Sequence, residues 1–297
     1  MLEYLSVGLI IQLLVNGILF GTMYGIAAIG LSLIFGTMRI IFIAQGTVIV
    51  FFAYLCYWLF TLFGIDPYLS LILVVPFSLL LGMGFYQGLF KRVAALEDKN
   101  ISLLIAIGLM FLVENLMTVF WTANPRSLQT EYTTLVFRPM GINIPFNRFI
   151  GLIIATLSTA GVVIFLKKTL IGIAVRAASE DMVSVTLMGI GPHRVNAVAF
   201  AIGIGLAGVA GVGLATIYAF DPFYGFIFVL KALISLAIGG IGSVSGALLG
   251  GIILGLLESL ASFFLSGGWS DAVSYAIFLL VLMFKPEGLF VRSVQKA

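Results

Sequence analysis

Charge is what this sequence has least of. Of its 297 residues only 9% are Asp, Glu, Lys or Arg, where a soluble domain carries about 25%. A single cysteine, Cys56, excludes a disulfide within the chain. With only one histidine, His193, a Cys/His metal site is not expected either. No G-x-x-x-x-G-K-[ST] phosphate loop occurs, so if ATP drives this protein another chain binds it. Paired carboxylates and an activated nucleophile are also missing, which makes a membrane enzyme the weakest functional class. Residues 1–6 lack a basic n-region, and the first apolar stretch is much longer than an h-region, so a cleavable signal peptide is not expected. What the chain has is apolar surface: 62% hydrophobic residues and a mean hydropathy of +1.22. It belongs in a lipid bilayer, and its net charge of +3 fits membrane topology better than nucleic-acid binding.

Spanning takes about 20 apolar residues. Candidate segments are 8–36, 40–63, 69–90, 101–122, 149–166, 196–219, 227–265 and 272–290. The long one divides at Gly239-Gly240-Ile241-Gly242-Ser243 into a short piece, 227–239, and a full span, 245–265. The short piece either spans or is re-entrant. The predicted fold class is therefore all-α, a polytopic membrane protein of about eight transmembrane or re-entrant helices in one domain, 1–297. Basic residues gather at Lys91, Arg92 and Lys99, at Lys167, Lys168, Arg176 and Arg194, and at Lys285, Arg292 and Lys296. The positive-inside rule puts these three groups in the cytoplasm. The connection 123–148, with only Arg126, Arg138 and Arg148, then lies outside as a structured external loop. Alternating spans give an outer N-terminus and a cytoplasmic C-terminus.

Three patterns stand out within the spans. Small residues recur at four-residue spacing: Gly17, Gly21 and Gly25; Gly203, Ala207, Gly211 and Ala215; Gly242, Gly246 and Gly250, joined by Gly251 and Gly255. In lipid such faces let helix backbones approach closely, so they read as helix-packing seams that could also slide during transport. Apolar runs are interrupted at Phe35–Arg39 and at Gly239–Ser243. Irregular backbone at membrane depth needs protein or a watery cavity beside it, although both interruptions also fit ordinary interfacial turns. Finally Glu114, Lys231 and Glu258 sit in apolar surroundings. They read as pathway or ion-coupling groups, or, for the carboxylates, as interhelical hydrogen-bonding groups. Lys231 either pairs with a carboxylate or snorkels to the interface.

The connection 167–195 carries a different pattern. Ala174, Ala178, Met182, Val185 and Met188 share one face at helical spacing, while Arg176 and Glu180 form an i,i+4 pair. Gly189 and Gly191-Pro192 end the helix. This spacing predicts one short amphipathic cytoplasmic helix. It either rests on headgroups or docks into a groove of a cytoplasmic partner.

Three stretches resemble a known family. They are "VNGILFGTMYGIAAIGLSLIFG" (15–36), "RAASEDMVSVTLMGIGPHRVNAVAFAIG" (176–203) and "YGFIFVLKALISLAIGGIGSVSGALLGGIILGLLES" (224–259), with "FKPEGLF" (284–290) closing the chain. Together they resemble the permease subunits of branched-chain amino acid ABC importers, the Liv type, and among these the H-like member. The resemblance implies a multi-pass permease in a bacterial or archaeal inner membrane, working with a second related permease and two ATP-binding cassette subunits that hold ATP and Mg. An external solute-binding protein completes the system; no cofactor and no nucleic acid are implied for this chain. It also implies that Arg176, Ala178, Glu180, Asp181 and Gly189 belong to the segment that couples to the ATPase. After the first span the family usually reads Asn-Phe-Ala-His-Gly, and here it reads Phe42-Ile43-Ala44-Gln45-Gly46. Gln45 in the His position is therefore a pathway candidate, and urea, amides or other small solutes stand as alternatives to branched-chain amino acids. A stand-alone secondary transporter is the reading from a different class. It would use Glu114, Lys231 and Glu258 for coupling and would have no need of the cytoplasmic helix.

Overall fold

The computed structural model describes residues 7–93, 99–139, 142–240, 242–265, 269–285 and 288–290. The chain is an all-α polytopic bundle. It comprises α1 (Val7–Met38), α2 (Gln45–Phe63) and α3 (Leu71–Phe85), which continues through a π-helical turn (Tyr86–Phe90) into α4 (Lys91–Val93). Then come α5 (Lys99–Trp121), α6 (Phe146–Lys168), α7 (Leu170–Glu180), α8 (Met182–Leu187) and α9 (Pro192–Ile217). The last three are α10 (Tyr224–Gly239), α11 (Val244–Phe264) and α12 (Trp269–Phe284). Among the described residues seven helices are long and apolar enough to cross a membrane, while α10 and α12 are 16 residues each. At 1.5 Å per residue such a helix is about 24 Å long, short of a hydrocarbon core of about 30 Å.

The centre of the bundle is α1 with α9. In each, 83% of the most apolar stretch is buried, against 22% in α3, α5 and α6. Glycine makes this possible. A Cβ on Gly21 would lie 2.6 Å from the Cα of Ile252, and one on Gly17 2.7 Å from the Cα of Leu256. From the other side, Cβ atoms on Gly251 and Gly255 would overlap the backbone of Gly21 and Gly25. Backbone therefore rests on backbone along the α1–α11 seam, which gains dispersion contacts in a solvent that offers no hydrophobic drive. The opposite edge of α11 makes a second seam, where Gly246 and Gly250 press on Gly239 and on the carbonyl of Ser235 in α10. The glycines of α11 thus serve two neighbours from one helix. Gly242 belongs to neither seam: it precedes α11 in a left-handed turn at φ +84°, with open space where a Cβ would sit. The expectation that Gly242 packs helices is corrected, because the chain has left the helix there.

Two interruptions position the interior. α1 remains helical through Met38, so the irregular backbone expected at Phe35–Arg39 is displaced to 39–44. Arg39 takes a left-handed conformation (φ 56°), and its guanidinium donates to the Ser179 carbonyl at 3.3 Å. The strand of chain then runs back beside α1, anchored by Phe42 between Phe90 and Phe200 (ring centroids 5.6 and 5.0 Å apart). It delivers Gln45 to the level of Ala27, about three turns back from the end of α1. α2 consequently begins inside the bundle. α10 begins there too, since a Cβ on Gly225 would lie 2.6 Å from the amide nitrogen of Thr47. The second interruption follows Gly239, with Gly240 at φ 96°; Ile241 lies outside the described residues. Of the closing "FKPEGLF" match, Pro286 and Glu287 lie outside the described residues, as do Arg292 and Lys296.

The connection ahead of α6 is ordered by local chemistry. Thr130 and Thr133 cap a 3-10 turn (Glu131–Thr134) reciprocally, and β1 (Val136–Phe137) pairs antiparallel with β2 (Ile144–Pro145). Arg126 exchanges two backbone hydrogen bonds with Phe220, both 2.9 Å, and its guanidinium lies over Tyr57 and Trp58 at 5.2 and 5.3 Å. This fixes the loop to the α9–α10 turn.

Candidate functional site

Three groups of residues singled out from sequence have distinct surroundings. The first gathers around Lys231 in the second turn of α10. Its Nζ lies 3.1 Å from Glu258 Oε1 in α11 and 3.1 Å from Asp271 Oδ1 at the head of α12. It also reaches the Tyr24 hydroxyl in α1 at 3.4 Å, and Ser274 Oγ donates to Glu258 Oε1 at 2.9 Å. An ammonium has three protons to give, and three oxygens surround this one. The cluster ties four helices together, so Lys231 pairs rather than snorkels. Its exposure is graded: the side chains of Lys231 and Glu258 are 14% and 12% exposed, that of Asp271 46%. The cluster therefore opens towards one end of the bundle with one cation and two carboxylates, a net charge of −1. Asp271, Ser274 and Tyr24 were not found by sequence reasoning. Asp271 lies at a helix head, where an acidic residue reads as an ordinary interfacial one.

The second group lies around the start of α2. Glu114 of α5 is buried and accepts a hydrogen bond from Thr47 Oγ1 at 3.1 Å, with no cation in ion-pair range among the described residues. It acts between helices α5 and α2. Gln45 has no exposed surface at all; its Nε2 donates to the Ala27 carbonyl at 3.1 Å, while its Oε1 has no partner. Gln45, a pathway candidate from its sequence position, is carried by the returning segment 39–44 into the packing of α1 against α9. Phe42 and Ala44, from the same stretch, are also fully buried.

The third group is the connection after α6. It is two helices rather than the one expected. The Thr169 side chain caps α7 by accepting from the Gly172 amide at 3.0 Å. At Asp181 the backbone becomes extended (φ −149°, ψ 106°), ending α7 and beginning α8. The Asp181 carboxylate accepts from Ser184 Oγ and, at 2.9 Å, from the Val183 amide, an N-cap. These two bonds, the serine's first, hold its pKa below the usual carboxylate value. Gly189, at φ +84°, closes α8 in a left-handed turn, and Pro192 opens α9. Ala174, Ala178 and Val185 face inward and are buried. Ala178, within the segment that the family resemblance implies couples to the ATPase, seats α7 on its own bundle. Met188, placed on the same face by helical spacing, is 78% exposed because α8 ends at Leu187 and Met188 lies beyond it at the C-cap. Arg176 and Glu180 are both exposed and form no ion pair with each other. Leu170, Val183, Leu187 and Met188 give this element an exposed apolar surface that a single-helix projection did not bring out.

No group of three or more His, Cys, Asp or Glu that could hold a metal ion occurs among the described residues.

Comparison with known proteins places this geometry. The family model described as branched-chain amino acid transport system / permease component matches residues 13–282. The high-affinity branched-chain amino acid transport system permease protein LivH of Escherichia coli (strain K12) is 31% identical over 294 residues, covering 95% of this chain and 96% of the relative. The corresponding permease protein BraD of Pseudomonas aeruginosa is 30% identical with the same coverage. Among solved structures, PsaBC from Streptococcus pneumoniae in complex with Fab is similar in fold, with a TM-score of 0.51 over 93% of this chain and 92% of that chain at 12% identity.

Proposed function

The chain belongs to the branched-chain amino acid transport permease family, and on that premise we propose that it is the membrane-spanning subunit of an ATP-driven importer for branched-chain or related amino acids. The reading combines this chain with a second related permease, two cytoplasmic ATP-binding cassette subunits that hold ATP and Mg, and an external solute-binding protein. The basic connections orient the bundle, with the 122–145 segment outside and α7–α8 in the cytoplasm of a bacterial or archaeal inner membrane.

The observation that carries the reading is the α7–α8 element. A chain working alone has no use for a short helical pair that exposes Leu170, Val183, Leu187 and Met188 beside Arg176 and Glu180. A mixed apolar and charged surface of this kind suits the groove of a protein partner. Burial of Ala174, Val175 and Ala178 against the bundle makes α7 a rigid extension of the spans, so a push on its outer face is transmitted to α1. Two states of the ATPase pair with different affinity for this surface would then bias two states of the pathway. In this reading Lys231, Glu258 and Asp271 offer both charge signs to a zwitterionic solute at the outer end, and Glu114 holds α5 against α2.

The test is co-purification from native membranes in mild detergent through a C-terminal tag, followed by solute uptake in proteoliposomes. The expected result is an ATP-binding cassette subunit and a second permease in the wild-type preparation, lost with Glu180→Arg, and ATP-dependent uptake of leucine. A chain that purifies alone and transports on an ion gradient would overturn the importer reading in favour of a secondary transporter.

A further inference from the structure

A cavity of about 880 Å³ lies where α7 meets the bundle, between α1, α6 and the first turn of α11. It is of the size that holds small organic ligands. Its polar lining includes Ser32, Lys167, Arg176, Glu180, Ser243 and Ser245, and its apolar wall Leu33, Val163 and Val175. Ser32 is the most informative of these. It is only 1% exposed, lines the cavity from the interior of α1, and its Oγ has no hydrogen-bond partner. A serine in a helix usually satisfies its hydroxyl on the preceding turn, as Thr37 does with Leu33, so this unpaired group is a polar atom held ready at an apolar wall.

Charges of both signs line the same cavity: among the described residues Lys167, Arg176 and Glu180 make no ion pair. The first turn of α11 opens on the same space, with Ser243 capping it through the Gly246 amide at 3.0 Å, and brings the positive end of a 21-residue helix dipole. The sum is an anion-attracting floor, one carboxylate, a buried hydroxyl and an aliphatic wall.

We propose that this cavity is a second binding site, distinct from the Lys231 cluster, for a small zwitterion with an apolar side chain, that is, a free aliphatic amino acid. The ligand's carboxylate would face Lys167, Arg176 and the α11 N-terminus, its ammonium Glu180 and Ser32 Oγ, and its side chain Leu33, Val163 and Val175. An occupant would bridge α7 to α1 and α11. The choice of ligand rests on the reading of the chain as an amino acid permease, while the cavity itself does not.

The experiment measures binding of radiolabelled leucine to the purified full chain in nanodiscs of neutral lipid, which requires no ATPase. Saturable binding is expected. Ser245→Trp, which fills the cavity from an exposed position, should weaken it at least tenfold, and Ser32→Ala several-fold, while Gly161→Leu, at an open position outside the cavity, leaves this binding in place. Thermal unfolding of each variant separates loss of the site from loss of fold. Equal leucine binding by wild type and a folded Ser245→Trp would overturn the proposal. So would absent leucine binding combined with retention of phosphatidylglycerol that Ser245→Trp abolishes, since the cavity would then be a lipid-headgroup site. The importer reading fails on different grounds, by absence of ATP-dependent uptake.

Discussion

Glycine carries two separate jobs in this protein, and the surroundings of each residue distinguish them. At Gly251 a Cβ would strike the backbone of Gly25, whereas at Gly161 a Cβ meets open space. Gly251→Leu is expected to lower stability by about 1–3 kcal/mol or more through overpacking of the α1–α11 seam. Gly161→Leu should stay within about 0.5 kcal/mol of wild type. Thermal unfolding of the two variants in detergent, side by side, decides this; equal midpoints would mean that the seam meets lipid. Lys231 makes the matching argument for charge. Lys231→Met leaves Glu258 unpaired in apolar surroundings and is expected to cost about 3 kcal/mol. Adding Glu258→Gln should restore part of that loss, because the stranded charge is then gone. Additive effects of the two substitutions in the same unfolding assay would show that the pair at 3.1 Å contributes no coupling.

At the scale of elements, α8 depends on one side chain. Asp181 is exposed, and its cap bonds lower its pKa in the folded chain. A depressed carboxylate pKa contributes stability at pH values above the unfolded pKa, about 3.9, and loses it as pH falls through the lower, folded value. Hydrogen exchange of the α8 amides should therefore be independent of pH-linked uncapping near neutrality and should show increased opening below about pH 4. Asp181→Asn keeps the capping oxygen without the titration, so its exchange should lack the acid step, while Asp181→Ala should fray at all pH values. An acid step retained in Asp181→Asn would assign the effect to another group. A single helical projection over 174–191 groups Ala174, Ala178, Val185 and Met188 on one face; the first three are buried together across the break at Asp181, whereas Met188 is exposed because α8 has ended at Leu187.

For the whole molecule, alternation of spans and the basic connections give opposite sides to the 122–145 segment and to α7–α8. Cys56 is fully buried, so cysteines introduced at the exposed positions Thr134 and Thr186 report alone. In intact cells a membrane-impermeant maleimide is expected to label Thr134→Cys and to leave Thr186→Cys unlabelled until the membrane is opened. The reverse pattern would invert the orientation and remove α7–α8 from the cytoplasm, and the ATPase-docking reading with it.

The sequence by itself determined the class of the fold. Periodic apolar runs of spanning length need no knowledge of their neighbours, since lipid forces each to satisfy its own backbone as a helix. It also marked the residues of highest cost, Glu114, Lys231 and Glu258, because ions in apolar runs stand out wherever they end up. Only the tertiary structure decided what those residues touch. Lys231 meets Asp271 because α10, α11 and α12 converge, and no spacing along one helix encodes the approach of three. Gln45 is buried because the chain reverses at Arg39 and runs back inside the bundle. Local sequence gave Gly242 and Gly246 the same four-residue period, and the point at which the helix begins, Val244, separated a turn residue from a packing one. Periodicity is a property of a single helix, whereas burial and pairing depend on which surfaces come together.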